Sequence, residues 1–235
     1  MSESENNGRA TKVAAFFDVD GTLLVAQSGN LYIRYLYRQG LLSLVDRVRL
    51  VWAYLSYRLG FVNFAVVGEF LSRLLKGHSE ESLAAQCRDW YATDVRPYFS
   101  VAMLACVRQH KERGDVIVLL TGATSYLCDL IAADLGIDHV VCNELELRDG
   151  FFTGRAVLPL CYGKGKILRA RAFAEDHGID LSASSYYADS ISDLPMLREV
   201  GQPFAVNPDP RLRVEAMRRR WPIIDDSSRS LPLLD

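Results

Sequence analysis

Apolar positions along the chain follow two rhythms that take turns. Short runs with little polar interruption, Val13–Phe17, Val116–Leu120, His139–Cys142, Ser185–Ala188 and Pro203–Val206, have the length and residue types of strands buried on both faces. Between them, Ser100–Gly114, Ser125–Leu135, Lys166–His177 and Asp193–Val200 carry apolar residues at helical spacing, with Gly114 and Gly136 where helices would stop. This alternation predicts an α/β fold: a doubly wound sheet of parallel strands with helices on its faces.

Two stretches depart from the alternation. Leu31 to about Tyr98 is helical in period almost throughout, with Leu31, Ile33, Leu36, Leu41, Leu42 and Val45 forming one apolar set. It reads as an all-helical insertion, a cap of residues 27–98 over a core built from residues 13–26 and 99–235. From Glu144 to Leu158, Leu145 and Leu147 alternate with acids before Asp149-Gly150, a hairpin turn signal, so a small antiparallel flap is expected beside the sheet. Past Val206, the last expected core strand, Asn207-Pro208-Asp209-Pro210 turns the chain into a basic helix with Arg218–Arg220 on a solvated face. Residues 1–12, polar and without the apolar stretch of a signal peptide, read as a disordered tail, and the chain from Asp225 as frayed.

Within the insertion, Leu50–Val67 is apolar over nearly the length of a membrane span. Arg58 near its centre costs about 2.5–3.5 kcal/mol on insertion, against about 0.3–0.6 gained per large aliphatic residue. A single span would also put the first strand and the later ones on opposite sides of a bilayer. A transmembrane helix is therefore rejected. Packing among cap helices is the plainer expectation, and an apolar rim touching a lipid surface or admitting a lipid-like substrate the sharper one.

Composition narrows the partners. The 235 residues suffice for one core with an insertion, and 27 basic against 29 acidic side chains leave no reason to expect a nucleic-acid backbone. The five cysteines are scattered and show no metal-ligand spacing, which fits small buried hydrophobes in a reducing, cytoplasmic setting.

Chemistry gathers where strands end. Val13–Phe17 runs straight into Asp18-Val19-Asp20-Gly21-Thr22, bringing two carboxylates to the mouth of the sheet, where Gly21 lets the chain turn away. The second strand delivers Thr121-Gly122, and the fourth ends at Asp189, four residues before Asp193. Tyr162-Gly163-Lys164-Gly165-Lys166 places two lysines at a helix start. Taken singly, each has an ordinary structural explanation: Asp20-Gly21 as a turn, Thr121 and Asp189 as helix caps, the lysines as solvated. Together they supply carboxylates for nucleophilic and acid–base work, oxygen ligands for Mg²⁺, and hydroxyl, amide and ammonium donors for a phosphoryl group.

The Asp18–Leu24 stretch resembles the first motif of the haloacid-dehalogenase-like superfamily, and Thr121, the lysine pair and Asp189/Asp193 follow in that family's order over about residues 13–222. The helical insertion resembles the cap of its phosphoserine-phosphatase-like branch. The resemblance implies a Mg²⁺-dependent phosphomonoester hydrolase acting on a small-molecule or lipid-like ester. Asp18 would be the nucleophile, Asp20 the general acid and base, and Thr121 and Gly122 would hold phosphoryl oxygens. Lys166, preferred to Lys164 because its spacing to the metal-binding strand fits, would offset negative charge. Asp18, Asp189, Asp193 and the backbone of Asp20 would hold the ion. Phosphoserine phosphatases carry an acid about nine residues after the nucleophile; here that place is Gln27, and Arg73 is the nearest candidate for their carboxylate clamp. Phosphoserine or histidinol phosphate as substrate, transfer of the phosphoryl group to an acceptor alcohol, and a non-catalytic lipid-surface module are the alternatives.

Overall fold

The computed structural model describes residues 11–41 and 72–226. Strand β1 (Ala14–Phe17) is buried on both sides, Ala14 and Phe16 joining one apolar cluster and Ala15 and Phe17 the other. That is the period-two outcome for a strand covered on both faces. There follow α1 (Ser28–Arg38), α2 (Glu80–Trp90), α3 (Val101–Arg113), β2 (Val116–Thr124), α4 (Ser125–Leu135) and β3 (His139–Asn143). A hairpin, β4 (Leu145–Arg148) and β5 (Phe151–Ala156), precedes α5 (Lys164–His177), β6 (Ser185–Ala188), α6 (Leu194–Leu197), β7 (Gln202–Val206), α7 (Pro210–Arg219) and β8 (Ile223–Ile224).

The six-stranded sheet runs β3-β2-β1-β6-β7-β8, every pairing parallel. Neighbours β2 and β6 lead away from β1 in opposite directions, so the crevice beyond the C-terminal ends of β1 and β6 is the switch point where such sheets bind ligands. The hairpin turns on Asp149 and Gly150, both at positive φ (53° and 79°) as a type I′ turn requires. It docks on the segment before α2, with Gly77 N donating to Phe152 O (2.9 Å) and Phe152 N to His78 O (3.0 Å).

Local chemistry sets the boundaries. Ser100 caps α3 by accepting from Met103 N (3.1 Å), and Gly114 ends it in the left-handed conformation. Four expectations need correction. Ile223–Ile224 adds a sixth strand beyond Val206, and Asp226 is buried, accepting a 2.6 Å hydrogen bond from Ser100 Oγ, so the chain is held as far as Asp226; the rest of the expected frayed end, residues 227–235, lies outside the described residues. Two residues are too few for a periodicity to show. The expected helix Asp193–Val200 shrinks to a 3-10 turn, Ile191–Asp193, and the short α6, because Pro195 belongs at a helix start and leaves Asp193 in the turn. Thr121-Gly122 is not at a helix start: β2 continues, with a register shift, to Thr124. Leu41 is exposed, lying past Gly40, whose positive φ of 69° turns the chain out of α1. The Leu42, Val45 and Leu50–Val67 expectations lie outside the described residues, as do residues 1–10. Among the described residues no helix is long and apolar enough to cross a membrane.

Candidate active site

β1 and β6 leave the sheet together. Phe17 pairs with Tyr187, Asp18 N donates to Tyr187 O (3.0 Å), and one residue past the end of β6 stands Asp189. The chain from Asp18 to Leu24 then folds back on itself, Leu24 N donating to Val19 O (2.8 Å) and Gly21 N to Ala26 O (3.3 Å). Gly21 sits at φ +71°, and a Cβ there would lie 2.0 Å from Asp189 Oδ2. Glycine is thus what admits the Asp189 carboxylate to the Asp18 side of the crevice.

Three carboxylates, Asp18, Asp189 and Asp193, each place a ligand oxygen within 4.8 Å of the other two. Asp193 reaches this cluster from the turn after β6, whose shape Asp209 fixes by accepting from Ile191 N (2.7 Å) while its own N–H donates to Asp189 O (2.8 Å). Lys166, on the first turn of α5 and buried, donates from Nζ to Asp18 Oδ2 (3.1 Å) and Tyr186 Oη (3.0 Å). The same Nζ lies 2.8 Å from Asp193 Oδ1, an ion pair without hydrogen-bond alignment. Lys164 is exposed, so the geometry separates the two lysines.

The electrostatics follow from burial and charge count. Burial first, and then the neighbouring carboxylates, push Asp189 up to about 8 and Asp193 to about 7, with Lys166 opposing. Burial alone would lower the Lys166 ammonium, but Asp18 and Asp193 outweigh it and hold it well above its usual range. A single ammonium does not balance this many buried acids. An all-oxygen donor set of three carboxylates with surplus negative charge fits a hard divalent cation such as Mg²⁺.

Asp20 faces the other way. Its Oδ1 accepts from Ser28 N (2.6 Å) and its Oδ2 from Ser28 Oγ (3.0 Å), so α1 begins on its carboxylate. Burial raises Asp20 to about 6, against the pull of these two hydrogen bonds. Phe17 pairs with Leu119, the Asp18 position is therefore level with Leu120, and Thr121 follows one residue further on, buried, its Oγ1 accepting from Ala123 N (3.2 Å). Gly122 follows on the same irregular stretch.

Gln27 is exposed at the start of α1, with no side-chain capping bond. Arg73 is exposed next to Gly154 of the hairpin and lines a separate cavity of about 800 Å³ with Lys76, Arg148 and Arg155, which none of the site's acids borders. Sequence reasoning passed over Ser28 and Tyr186. A polar pair, Gln27-Ser28, opening an amphipathic segment was the available signal for the first; for Tyr186, one apolar strand residue among several, there was none.

A Rossmann-like parallel sheet with a cluster of carboxylates and a buried lysine at its switch point defines an α/β fold with a charged crevice where such sheets bind ligands. A family model for haloacid dehalogenase-like hydrolases matches residues 15–198, and the chain belongs to that family. It is 29% identical over 219 residues to a histidinol-phosphatase of Neisseria meningitidis, covering 91% of this chain and 99% of that one. It is 32% identical over 216 residues to a phosphoserine phosphatase of Mycobacterium tuberculosis, covering 90% and 70%. A crystal structure of a protein of unknown function from Bordetella pertussis Tohama I superposes with a TM-score of 0.85 at 32% identity, covering 92% and 99%.

Proposed function

We propose that this enzyme is a Mg²⁺-dependent phosphomonoester hydrolase that works through an aspartyl-phosphate on Asp18. The observation that carries the reading is the buried Lys166 ammonium held between Asp18 and Asp193, with Asp189 closing the carboxylate cluster. Asp18 attacks phosphorus, the ester oxygen leaves, and the phosphoryl group is carried on the carboxylate until water takes it. Asp20, poised near neutrality, gives its proton to the leaving oxygen and later accepts one from the attacking water. The Lys166 ammonium, the Thr121 hydroxyl and the Gly122 N–H hold the phosphoryl oxygens. Asp18, Asp189, Asp193 and the Asp20 carbonyl would hold Mg²⁺, which neutralises charge on the transferring group.

The same reading assigns residues 27–98 to a cap over the crevice and makes the leaving group a small alcohol. Histidinol phosphate is the first substrate to try, because the Neisseria relative matches nearly end to end. Gln27 has no charge with which to pair the phosphoserine ammonium. With Mg²⁺ present, p-nitrophenyl phosphate should be turned over, and Asp18→Asn should reduce kcat at least about 10³-fold while leaving the circular dichroism spectrum intact. Undiminished turnover by the variant would overturn the mechanism. Release of phosphate from histidinol phosphate, phosphoserine and lysophosphatidate then ranks the leaving groups.

A further inference from the structure

Two segments of the proposed site come from distant parts of the chain: the irregular Thr121–Ala123 stretch within β2, and the loop that leads into the first turn of α5, where Lys166 sits. The first breaks its ladder to β3, and the second precedes the first turn of its helix. Between β2 and β3 the register moves from Leu120↔Val141 to Thr124↔Asn143, so Thr121, Gly122 and Ala123 stand opposite Cys142 alone. Bulges of this kind re-aim residues next to active sites, and they also interrupt the ladder. The loop before α5 is equally tight. A Cβ on Gly165 would lie 1.9 Å from Leu160 O, so the first turn of α5 is pressed against that loop.

One side chain touches both. Asn143, the last residue of β3, is 7% exposed; its Nδ2 donates to Gly122 O (2.7 Å) and its Oδ1 accepts from Cys161 N (2.7 Å). A carbonyl can only accept and a backbone N–H can only donate, so the two partners fix the amide's orientation. A carboxamide of this length is the group that can serve both at once. Asp would set a carboxylate oxygen against the Gly122 carbonyl, and Ala would leave both backbone groups without this partner. Arg169 reinforces the loop side from within α5, with Nε on Pro159 O and Nη1 on Cys142 O, each at 2.7 Å.

We propose that Asn143 is a positioning residue that fixes the Thr121–Gly122 segment relative to the loop that leads into the Lys166 turn of α5, so that the hydroxyl, amide and ammonium donors converge on one phosphoryl group. The inference rests on the hydrolase reading, to which it adds a residue that contacts none of the reacting atoms. Displacing one donor by about 1 Å is enough for losses on the order of 100-fold.

The test uses the full chain with Asn143→Ala and Asn143→Asp. Asn143→Asp keeps the acceptor for Cys161 N and loses the donor to Gly122 O. Expected for both is a fall in kcat of about 10- to 100-fold with KM changed less than about threefold, and inhibition by vanadate, a mimic of the transferring group, weakened in step with kcat. In amide exchange, Asn143→Ala should lose protection at Cys161 while Asn143→Asp retains it. Folded variants with parental kcat and vanadate inhibition, or unchanged Cys161 protection in Asn143→Ala, would overturn the proposal. A parent that hydrolyses no phosphomonoester would remove the hydrolase reading instead, and the strut itself would then stand or fall on the Cys161 exchange.

Discussion

At the scale of a residue, Gly21 shows how one missing carbon shapes a site. Its positive φ and the 2.0 Å approach of Asp189 Oδ2 to its absent Cβ are separate demands that only glycine meets. Gly21→Ala should cost about 1–2 kcal/mol from backbone strain alone. The larger effect is displacement of Asp189 from the carboxylate cluster. Turnover is expected to fall about 100-fold or more, and the thermal shift produced by Mg²⁺ in the parent to be mostly lost. An alanine variant with parental turnover and parental Mg²⁺ response would show that Asp189 has no part in the site. The glycine itself was legible in the sequence as a turn after two acids. Its second role was not, because Asp189 lies far along the chain and meets it only through the β1–β6 pairing.

At the scale of an element, α3 is pinned at its start by Ser100, whose Oγ accepts from Met103 N and donates to the buried Asp226. The serine thus ties a helix cap to the C-terminal edge of the sheet, where β8 pairs with β7. Loss of the cap costs about 1 kcal/mol and loss of a hydrogen bond to a carboxylate about 1.5–3. Ser100→Ala should therefore destabilise by about 2–4 kcal/mol in urea melts, while kcat per folded molecule stays at the parental value, since neither side chain is among the groups proposed to hold the phosphoryl group or the ion. A variant within about 0.5 kcal/mol of the parent would show the contact to be incidental. The cap was readable in advance, since a serine before an apolar helical run is a start signal. Its partner was not, because a two-residue edge strand carries too little pattern to be told from a fraying tail.

At the scale of the whole molecule, the acids at the switch point link metal, proton and stability. With Asp189 raised to about 8 and Asp193 to about 7, the metal-free folded chain binds protons that an unfolded aspartate, at about 3.9, has released. As far as these two groups are concerned, stability is fully present below about pH 4. It is lost as pH rises through about 7 and 8. Melting of the metal-free protein should move to lower temperature between pH 6 and 8.5, roughly, and Mg²⁺ should remove most of that slope by taking the place of the protons. At a hundredfold excess over Kd the ion should add about 2.7 kcal/mol, roughly 5–10 °C for a chain of this size. A melting temperature indifferent to Mg²⁺ at pH 8 would mean that the cluster does not bind the ion.

Periodicity and strand-end residues by themselves determined the α/β architecture, the hairpin at Asp149-Gly150 and which acids deserved notice, because burial on both faces writes apolar runs and a chain leaving a sheet needs polar, turn-forming residues. Tertiary structure alone decided which lysine is buried against Asp18, that Asp20 rests on Ser28, and that Asn143 joins two segments of the crevice. Lys164 and Lys166 differ by two positions on one helix, and what separates them is the direction each side chain takes against a sheet assembled from distant strands. No local pattern encodes that direction, since it is fixed by the packing of the whole.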